Sequence, residues 1–224
     1  MSLISAKHVS RVFGASPGAV VALNDVSLDI EQGEFIAIMG PSGSGKTTLL
    51  SILGAMSAPT HGEVVIDGIS LYSLSIEELA DFRAQRLGFV FQQLHLISYL
   101  TAIENVMLPL VISPEHHSLW NIASSALQQV GLEHKAQYLP GQLSSGEQAR
   151  VAIARALVKE PPIILADEPT GNLDSRTGQD VVRLLQAANE RGHTIIMVTH
   201  NKDAARGARR LVYLRDGEIT TGDG

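Results

Sequence analysis

The sequence of 224 residues contains no cysteine, which excludes disulfide bonds, zinc sites with cysteine ligands and a cysteine nucleophile. It has no run of 18 apolar residues, so no segment is predicted to span a membrane. The N-terminus lacks the charged start and apolar stretch of a signal peptide, and we expect a cytosolic chain. The net charge is −6, and basic residues are not clustered. A nucleic-acid partner is therefore not expected.

Apolar runs alternate with segments of helical spacing, and hydrophobic residues make up 45% of the chain. Buried strands are predicted at four runs: "EFIAIMG", "LGFVFQQ", "PIILADEP" and "HTIIMVTH". Residues 3–35 show partial alternation, which favours an antiparallel β-rich N-terminal part. Residues 94 to about 160 are mostly helical in pattern. The fold class is thus α/β, a mostly parallel sheet with an inserted helical subdomain, and we expect residues 1–224 to form one domain.

The segment "GPSGSGKT", residues 40–47, matches the phosphate-binding loop G-x-x-x-x-G-K-[ST]. Glycines permit the backbone angles that turn N–H groups inward around phosphates. Lys46 is predicted to reach the β- and γ-phosphates, the Thr47 hydroxyl to ligate Mg²⁺, and Thr48 to contact the α-phosphate. The predicted nucleotide-binding residues of this loop are Gly40, Pro41, Ser42, Gly43, Ser44, Gly45, Lys46, Thr47 and Thr48.

Three further side chains follow predicted central strands, so they are expected at the carboxyl edge of the sheet, where open α/β sheets bind ligands. Asp167 suits the role of holding Mg²⁺, and Glu168 that of a general base for an attacking water. A lone histidine is more often structural than catalytic. Because His200 shares this edge with Lys46 and Glu168, we predict that it contacts the γ-phosphate.

A second anion-binding segment is predicted at "QLSSGEQAR", residues 142–150. Small residues here open a helix whose first N–H groups lack intrahelical partners. These features alone do not indicate what the segment would hold.

Together these motifs resemble the nucleotide-binding subunit of an ABC transporter, and the resemblance covers nearly the whole chain. It implies the P-loop NTPase (RecA-like) fold, Mg²⁺-dependent ATP hydrolysis and a homodimer that forms on ATP binding. The stretch "LSSGE" aligns with the family signature, usually Leu-Ser-Gly-Gly-Gln, which binds the γ-phosphate of an ATP held by a second subunit. The implied signature residues are Ser144, Ser145, Gly146 and Glu147.

The same resemblance assigns further residues. Gln92, favoured over Gln93 because it directly follows "GFVF", would touch Mg²⁺ and link the site to the helical lobe. The loop that crosses the dimer interface would be Asn172, Leu173 and Asp174. Phe13 matches the aromatic residue that stacks on adenine, although its pattern alone favours a core side chain. The implied metal ligands are Thr47, Gln92 and Asp167.

Three positions depart from the family pattern. Ser145 stands at the first signature glycine, where a Cβ restricts the backbone, and this puts dimer tightness and turnover rate in question. Glu147 adds a negative charge where glutamine is usual, and Asn201 replaces the acidic residue that often follows the histidine. None of the three removes a catalytic atom.

The stretches "LADEPTGNLD" and "LTAIENVMLPL" are similar to the MacB, LolD and FtsE branch of bacterial ABC ATPases. This implies a membrane permease partner, location on the cytoplasmic face of the inner membrane, and power for export, lipoprotein extraction or envelope signalling. The partner is expected to dock near Leu96–Leu100, whose Leu96, Ile97, Tyr99 and Leu100 could equally be the lobe's own core.

Other classes fit less well. A soluble ABC ATPase of repair or translation usually carries two cassettes or coiled-coil insertions, and this chain shows neither. A P-loop kinase or GTPase lacks the signature and the paired "DE".

Overall fold

A six-stranded sheet forms the centre of the computed structural model, which describes residues 2–15, 17–111 and 118–220. Its strand order is β10-β9-β3-β8-β7-β6, and all neighbours are parallel except β9 and β10. The strands are β3 (Phe35–Met39), β6 (Leu87–Val90), β7 (Ile163–Asp167), β8 (Thr194–Val198), β9 (Arg210–Arg215) and β10 (Glu218–Thr220).

A second, antiparallel sheet comes from the N-terminal part in the order β2-β1-β4-β5. It consists of β1 (Ser2–Phe13), β2 (Val20–Glu31), β4 (His61–Ile66) and β5 (Ile69–Ser70). The mostly parallel sheet and the antiparallel N-terminal part predicted from the sequence are therefore confirmed.

The helices in the described ranges lie on both faces of the central sheet. They are α1 (Lys46–Leu53), α2 (Ile76–Arg86), α3 (Ala102–Met107), α4 (Leu119–Gln129), α5 (Ser145–Leu157), α6 (Ser175–Glu190) and α7 (Lys202–Ala205). Short 3₁₀ turns occur at Leu71–Ser73, Leu108–Leu110, Glu133–Lys135 and Pro140–Gln142. A capping box begins α2, in which the Ser75 and Glu78 side chains each accept the other's backbone N–H.

The alternation of side chains along the central strands divides the core between the two faces. Phe35, Ala37 and Met39 face a cluster that includes buried residues of α3, α4, α5 and α6. Ile36 and Ile38 face the opposite cluster, which includes α1 and the antiparallel sheet. Both faces of β3 are buried, as its continuous apolar run predicts.

The segment between β6 and β7 contains α3, α4 and α5, but residues 94–101 are not helical. Side chains from other positions satisfy the backbone of this irregular stretch. The Asn105 amide donates to the carbonyls of Ile97 and Leu100, and its oxygen accepts the Ile97 N–H at 2.7 Å. Arg155 donates to the carbonyls of Leu94 and His95. An irregular path is stable once these groups are paired.

Candidate functional site

The predicted functional residues of the central sheet meet at one edge because their strands are parallel. β3 leads into the phosphate loop, β7 ends at Asp167, and β8 is followed by Thr199 and His200. Register places Asp167 beside Val198, the last residue of β8. This edge is the expected ligand-binding edge of an open α/β sheet.

The phosphate loop requires glycine at both of its ends. Gly40 has φ 155° and Gly45 has φ 100°, a region that favours glycine. A Cβ on Gly40 would collide with the Leu214 carbonyl, and one on Gly45 with the Ala22 carbonyl. The loop therefore lies against β9 and β2, and its backbone path depends on these two residues.

Lys46 is buried at the start of α1, and its ammonium lies inside the loop. Nζ donates to the carbonyls of Gly40 at 2.9 Å and Pro41 at 2.6 Å. Burial lowers the pKa of Lys46, while the carboxylates of Glu168 and Asp167 act in the opposite direction. A bound phosphate would therefore replace these carbonyls as the hydrogen-bond partner of the Lys46 ammonium.

Asp167 and Thr47 form a pair of oxygen donors beside the loop. The Thr47 hydroxyl donates to Oδ1 of Asp167 at 3.2 Å. Burial raises the pKa of Asp167, and the Thr47 hydrogen bond partly opposes that shift. Oxygen ligands of this kind are those Mg²⁺ prefers.

Glu168 is fixed from two directions by the end of β8. Its Oε1 lies 2.7 Å from Nδ1 of His200 and accepts the His200 N–H at 3.1 Å. Its Oε2 accepts the hydroxyl of Thr199, which is fully buried, at 3.2 Å. Glu168 has φ 44°, and its N–H donates to the Val198 carbonyl. The structure therefore brings together the predicted base and the predicted histidine, each following its own strand.

The signature segment opens α5 with a capping box. Ser144 is the N-cap, and its Oγ accepts the Glu147 N–H at 3.3 Å, while Glu147 Oε2 accepts the Ser144 N–H at 2.9 Å. Ser145 is the first helical residue and has a negative φ. Within one chain the backbone at this position therefore needs no glycine conformation.

Gly146 is needed for packing. It is buried, and a Cβ there would collide with Cγ2 of Thr177 on α6. Thr177 follows Asp174, the N-cap of α6, whose carboxylate accepts the N–H groups of Arg176 and Thr177. The signature helix and the first turn of α6 are thus in direct contact within one chain.

The predicted interface loop also contacts the segment after β6. Asn172 Nδ2 lies 3.5 Å from the Gln92 carbonyl. Gln92 and Gln93 are both exposed, so the structure does not separate them. A cleft of about 560 Å³ lies here, and its lining includes Gln92, Ser145, Glu168, Asn172 and Leu173.

Phe13 ends β1 and is 44% exposed, so the core interpretation of this side chain was wrong. The Arg11 guanidinium lies 4.7 Å from the centre of the Phe13 ring. Phe13 pairs with Val20 on β2, two residues before Ala22, which lies against Gly45. An exposed aromatic ring therefore stands on the hairpin that abuts the phosphate loop.

In the expected docking segment, Leu96–Leu100, some side chains fit the core interpretation and one fits an exposed docking surface. Leu96 packs against the core, whereas Tyr99 is 78% exposed. Ile97 and Leu100 are partly buried, and their backbone is bonded by Asn105.

Thr199 and Arg155 are site-supporting residues that the sequence analysis did not single out. Thr199 was detectable as the polar residue directly before His200 at a strand end. Arg155 had no such signal, because its carbonyl partners are about 60 residues away in sequence.

A phosphate loop, a carboxylate pair and a histidine at one sheet edge define a P-loop ATPase. A family model described as ABC transporter matches residues 23–171. The chain belongs to the ABC transporter family, as one of its ATP-binding, ATP-hydrolysing subunits.

The relatives include an uncharacterized ABC transporter ATP-binding protein of Methanocaldococcus jannaschii, 49% identical over 97% of both chains. The macrolide export ATP-binding/permease protein MacB of Aggregatibacter actinomycetemcomitans is 48% identical over 98% of this chain. The chain spans only 34% of that MacB protein. These relatives favour the transporter interpretation over a repair or translation ATPase.

A solved dimeric ATP-binding cassette, in a post-hydrolysis state with ADP and Pi, superimposes with a TM-score of 0.91. It is 45% identical, and the match covers 98% of this chain and 97% of that one. In the described part of this chain, no helix is long and apolar enough to cross a membrane.

Proposed function

We propose that two copies of this chain close on two ATP molecules and hydrolyse them to drive a membrane permease. The observation that carries this proposal is the fixed carboxylate of Glu168, held by His200 and Thr199 at the sheet edge that Lys46 also occupies. A positioned base and a buried cation are two of the groups that hydrolysis of a γ-phosphate needs.

The phosphate loop, residues 40–48, binds the phosphates, and Phe13 stacks on the adenine. Lys46 stabilises negative charge on the transferred phosphoryl group. Glu168 orients the attacking water and accepts its proton, and His200 fixes the carboxylate against the phosphate.

The residues present fit Mg²⁺. Thr47 and Asp167 supply oxygen atoms 3.2 Å apart, and Gln92, in the segment after β6, would add a third. Mg²⁺ at nucleotide sites takes few protein ligands because phosphates and water complete its shell. When bound, the ion neutralises charge on the phosphates.

The signature binds the ATP of the other subunit. Ser144 and Ser145 are exposed at the N-terminus of α5, so the Ser145 N–H and the two hydroxyl groups can donate to a ligand from outside the chain. Each complete site then takes the phosphate loop from one copy and the signature from the other, with Asn172, Leu173 and Asp174 between them. The dimeric relative supports this arrangement.

The chain forms a single domain, residues 1–224, with a helical subdomain at about 94–160 that moves when the dimer opens. Gln92 links this motion to the nucleotide, and exposed Tyr99 contacts the permease. The MacB relative is an ATP-binding/permease protein, which supports such a partner for this chain. We infer a location on the cytoplasmic face of the inner membrane from that partner. Export, lipoprotein extraction and envelope signalling are the candidate outputs.

The test is size-exclusion chromatography of Glu168→Gln with and without ATP and Mg²⁺, beside the ATPase rate. We expect hydrolysis to be lost and a dimer to form only with ATP. Glu190→Gln, a carboxylate change at the far end of α6, is the control and should hydrolyse ATP like the parent. A Glu168→Gln protein that still hydrolyses ATP would overturn the assigned base. One that binds ATP and stays monomeric is compared with Glu168→Gln/Ser145→Gly, since recovery of the dimer there would assign the defect to Ser145.

A further inference from the structure

Glu147 presents a difficulty for the signature. Its carboxylate lies at the N-terminus of α5, the same helix end that would attract a phosphate. A carboxylate there offsets the partial positive charge of the helix and repels a second anion. Hydrogen bonding by Lys135 and by the Ser144 N–H lowers the pKa of Glu147 to about 2, so the group is charged at neutral pH.

Lys135 neutralises this carboxylate. Its Nζ lies 2.6 Å from Oε1 of Glu147, and the two side chains are only 25% and 17% exposed. Lys135 comes from the 3₁₀ turn Glu133–Lys135 after α4, and Nζ also lies 5.6 Å from the centre of the Tyr138 ring. The lysine therefore reaches the signature from another element of the helical segment.

Two other capping boxes in the chain show that the cap itself does not need this lysine. Glu78 caps α2 and Glu104 caps α3 through the same pair of hydrogen bonds. Among the described residues, Glu147 is the one of these three glutamates with a lysine or arginine within 4.0 Å. The ion pair is thus associated with the one capped helix end at which an anion is expected to bind.

We propose that Lys135 is a positioning residue for closure of the ATP-bridged dimer. Its ammonium cancels the charge of Glu147, so Ser144, Ser145 and Gly146 present a helix end that accepts the γ-phosphate of the partner's ATP. This inference rests on the proposed function, because it needs the signature to meet an ATP held by a second copy.

The test is a double-mutant cycle in the Glu168→Gln background, which we expect to retain ATP in the dimer because hydrolysis is lost. The dissociation constant of the dimer is measured by sedimentation at saturating ATP and Mg²⁺, for Lys135→Met with and without Glu147→Gln. We expect Lys135→Met to weaken the dimer about tenfold when Glu147 is present, the order of effect of one uncompensated charge near another. In the Glu147→Gln background, Lys135→Met should weaken the dimer by less than about twofold.

Three further measurements separate charge from structure. The loss in Lys135→Met should shrink at high salt, because screening weakens the repulsion between the Glu147 carboxylate and the incoming phosphate. Binding of a fluorescent ATP analogue to the monomer should match that of the Glu168→Gln parent, since Lys135 is not in the phosphate loop. Lys159→Met, which removes a lysine just beyond the other end of α5, is the matched control and should dimerise like the parent.

The outcomes are distinct. Equal weakening in both backgrounds, or weakening that high salt does not reduce, would assign Lys135 a structural role and overturn the inference. A dimer unaffected by Lys135→Met would overturn the inference and leave the proposed function intact. A parent Glu168→Gln protein that forms no dimer with ATP would overturn both.

Discussion

Nδ1 of His200 lies 2.7 Å from Oε1 of Glu168, and the backbone N–H of His200 donates to the same oxygen. The carboxylate is therefore oriented by the end of β8 and not by its own strand, β7. Glu168 also adopts a left-handed backbone conformation, φ 44°, which costs a non-glycine residue about 1 kcal/mol or more. Such a conformation is maintained because the Glu168 N–H donates to the Val198 carbonyl and the side chain is bonded by two neighbours.

Replacing Thr199 by valine is expected to lower kcat about fivefold to tenfold with little change in KM. The substitution keeps the shape of the side chain but removes the hydroxyl that donates to Oε2 of Glu168, so the base is held less firmly. Steady-state ATPase kinetics measure the effect. Thr170→Val is the matched control, because Thr170 is also buried and its hydroxyl has no hydrogen-bond partner. An equal loss of kcat in the two variants would contradict the assigned role of Thr199.

Gly146→Ala is expected to destabilise the fold by about 1–3 kcal/mol, because its Cβ would collide with Cγ2 of Thr177. Adding Thr177→Ser removes that methyl group and should recover part of the loss. Urea unfolding midpoints of the single and double variants measure both effects. Gly141→Ala is the control, since a Cβ there has no neighbouring atom within 4 Å. If the double variant is no more stable than Gly146→Ala, the steric explanation is wrong.

The sheet and the phosphate-loop side of the site could be predicted well from the sequence. Their residues directly follow buried strands, so a short stretch of sequence is enough to locate them. Asp167 and Glu168 are an example, since one apolar run locates both. Contacts between different helices and turns had no sequence pattern that would indicate them. The pairing of Lys135 with Glu147 and the packing of Thr177 on Gly146 depend on how helices meet. Residues 94–101 begin a segment that was expected to be mostly helical, and their irregular path depends on Asn105 and Arg155.

The Lys135–Glu147 pair makes part of the stability depend on pH. The folded pKa of Glu147 is about 2, below the value of about 4.3 expected for an unfolded glutamate. The unfolded state binds more protons between these values, so the pair's contribution is present above about pH 4.5 and is lost as pH falls toward 2. Lys135→Met removes the main cause of the shift, and we expect it to destabilise the fold by about 1–2 kcal/mol at pH 7. Urea unfolding measures the free energy of unfolding of the variant and the parent. The difference between the two values should narrow between pH 4.5 and pH 3, and a difference that stays constant would contradict this account.

Phe13→Ala is expected to raise the KM for ATP about tenfold while changing kcat less than twofold, because stacking of a base on an aromatic ring contributes about 1–3 kcal/mol. The ring is 44% exposed at the end of β1, and the Arg11 guanidinium, 4.7 Å from its centre, fixes its position. The stacking energy is present in both the bound substrate and the transition state, so the loss should appear in KM and not in kcat. Val20→Ala is the matched control, since Val20 is the cross-strand partner of Phe13 and is also exposed. A fall in kcat with KM constant, or an equal rise in KM for Val20→Ala, would place the adenine elsewhere.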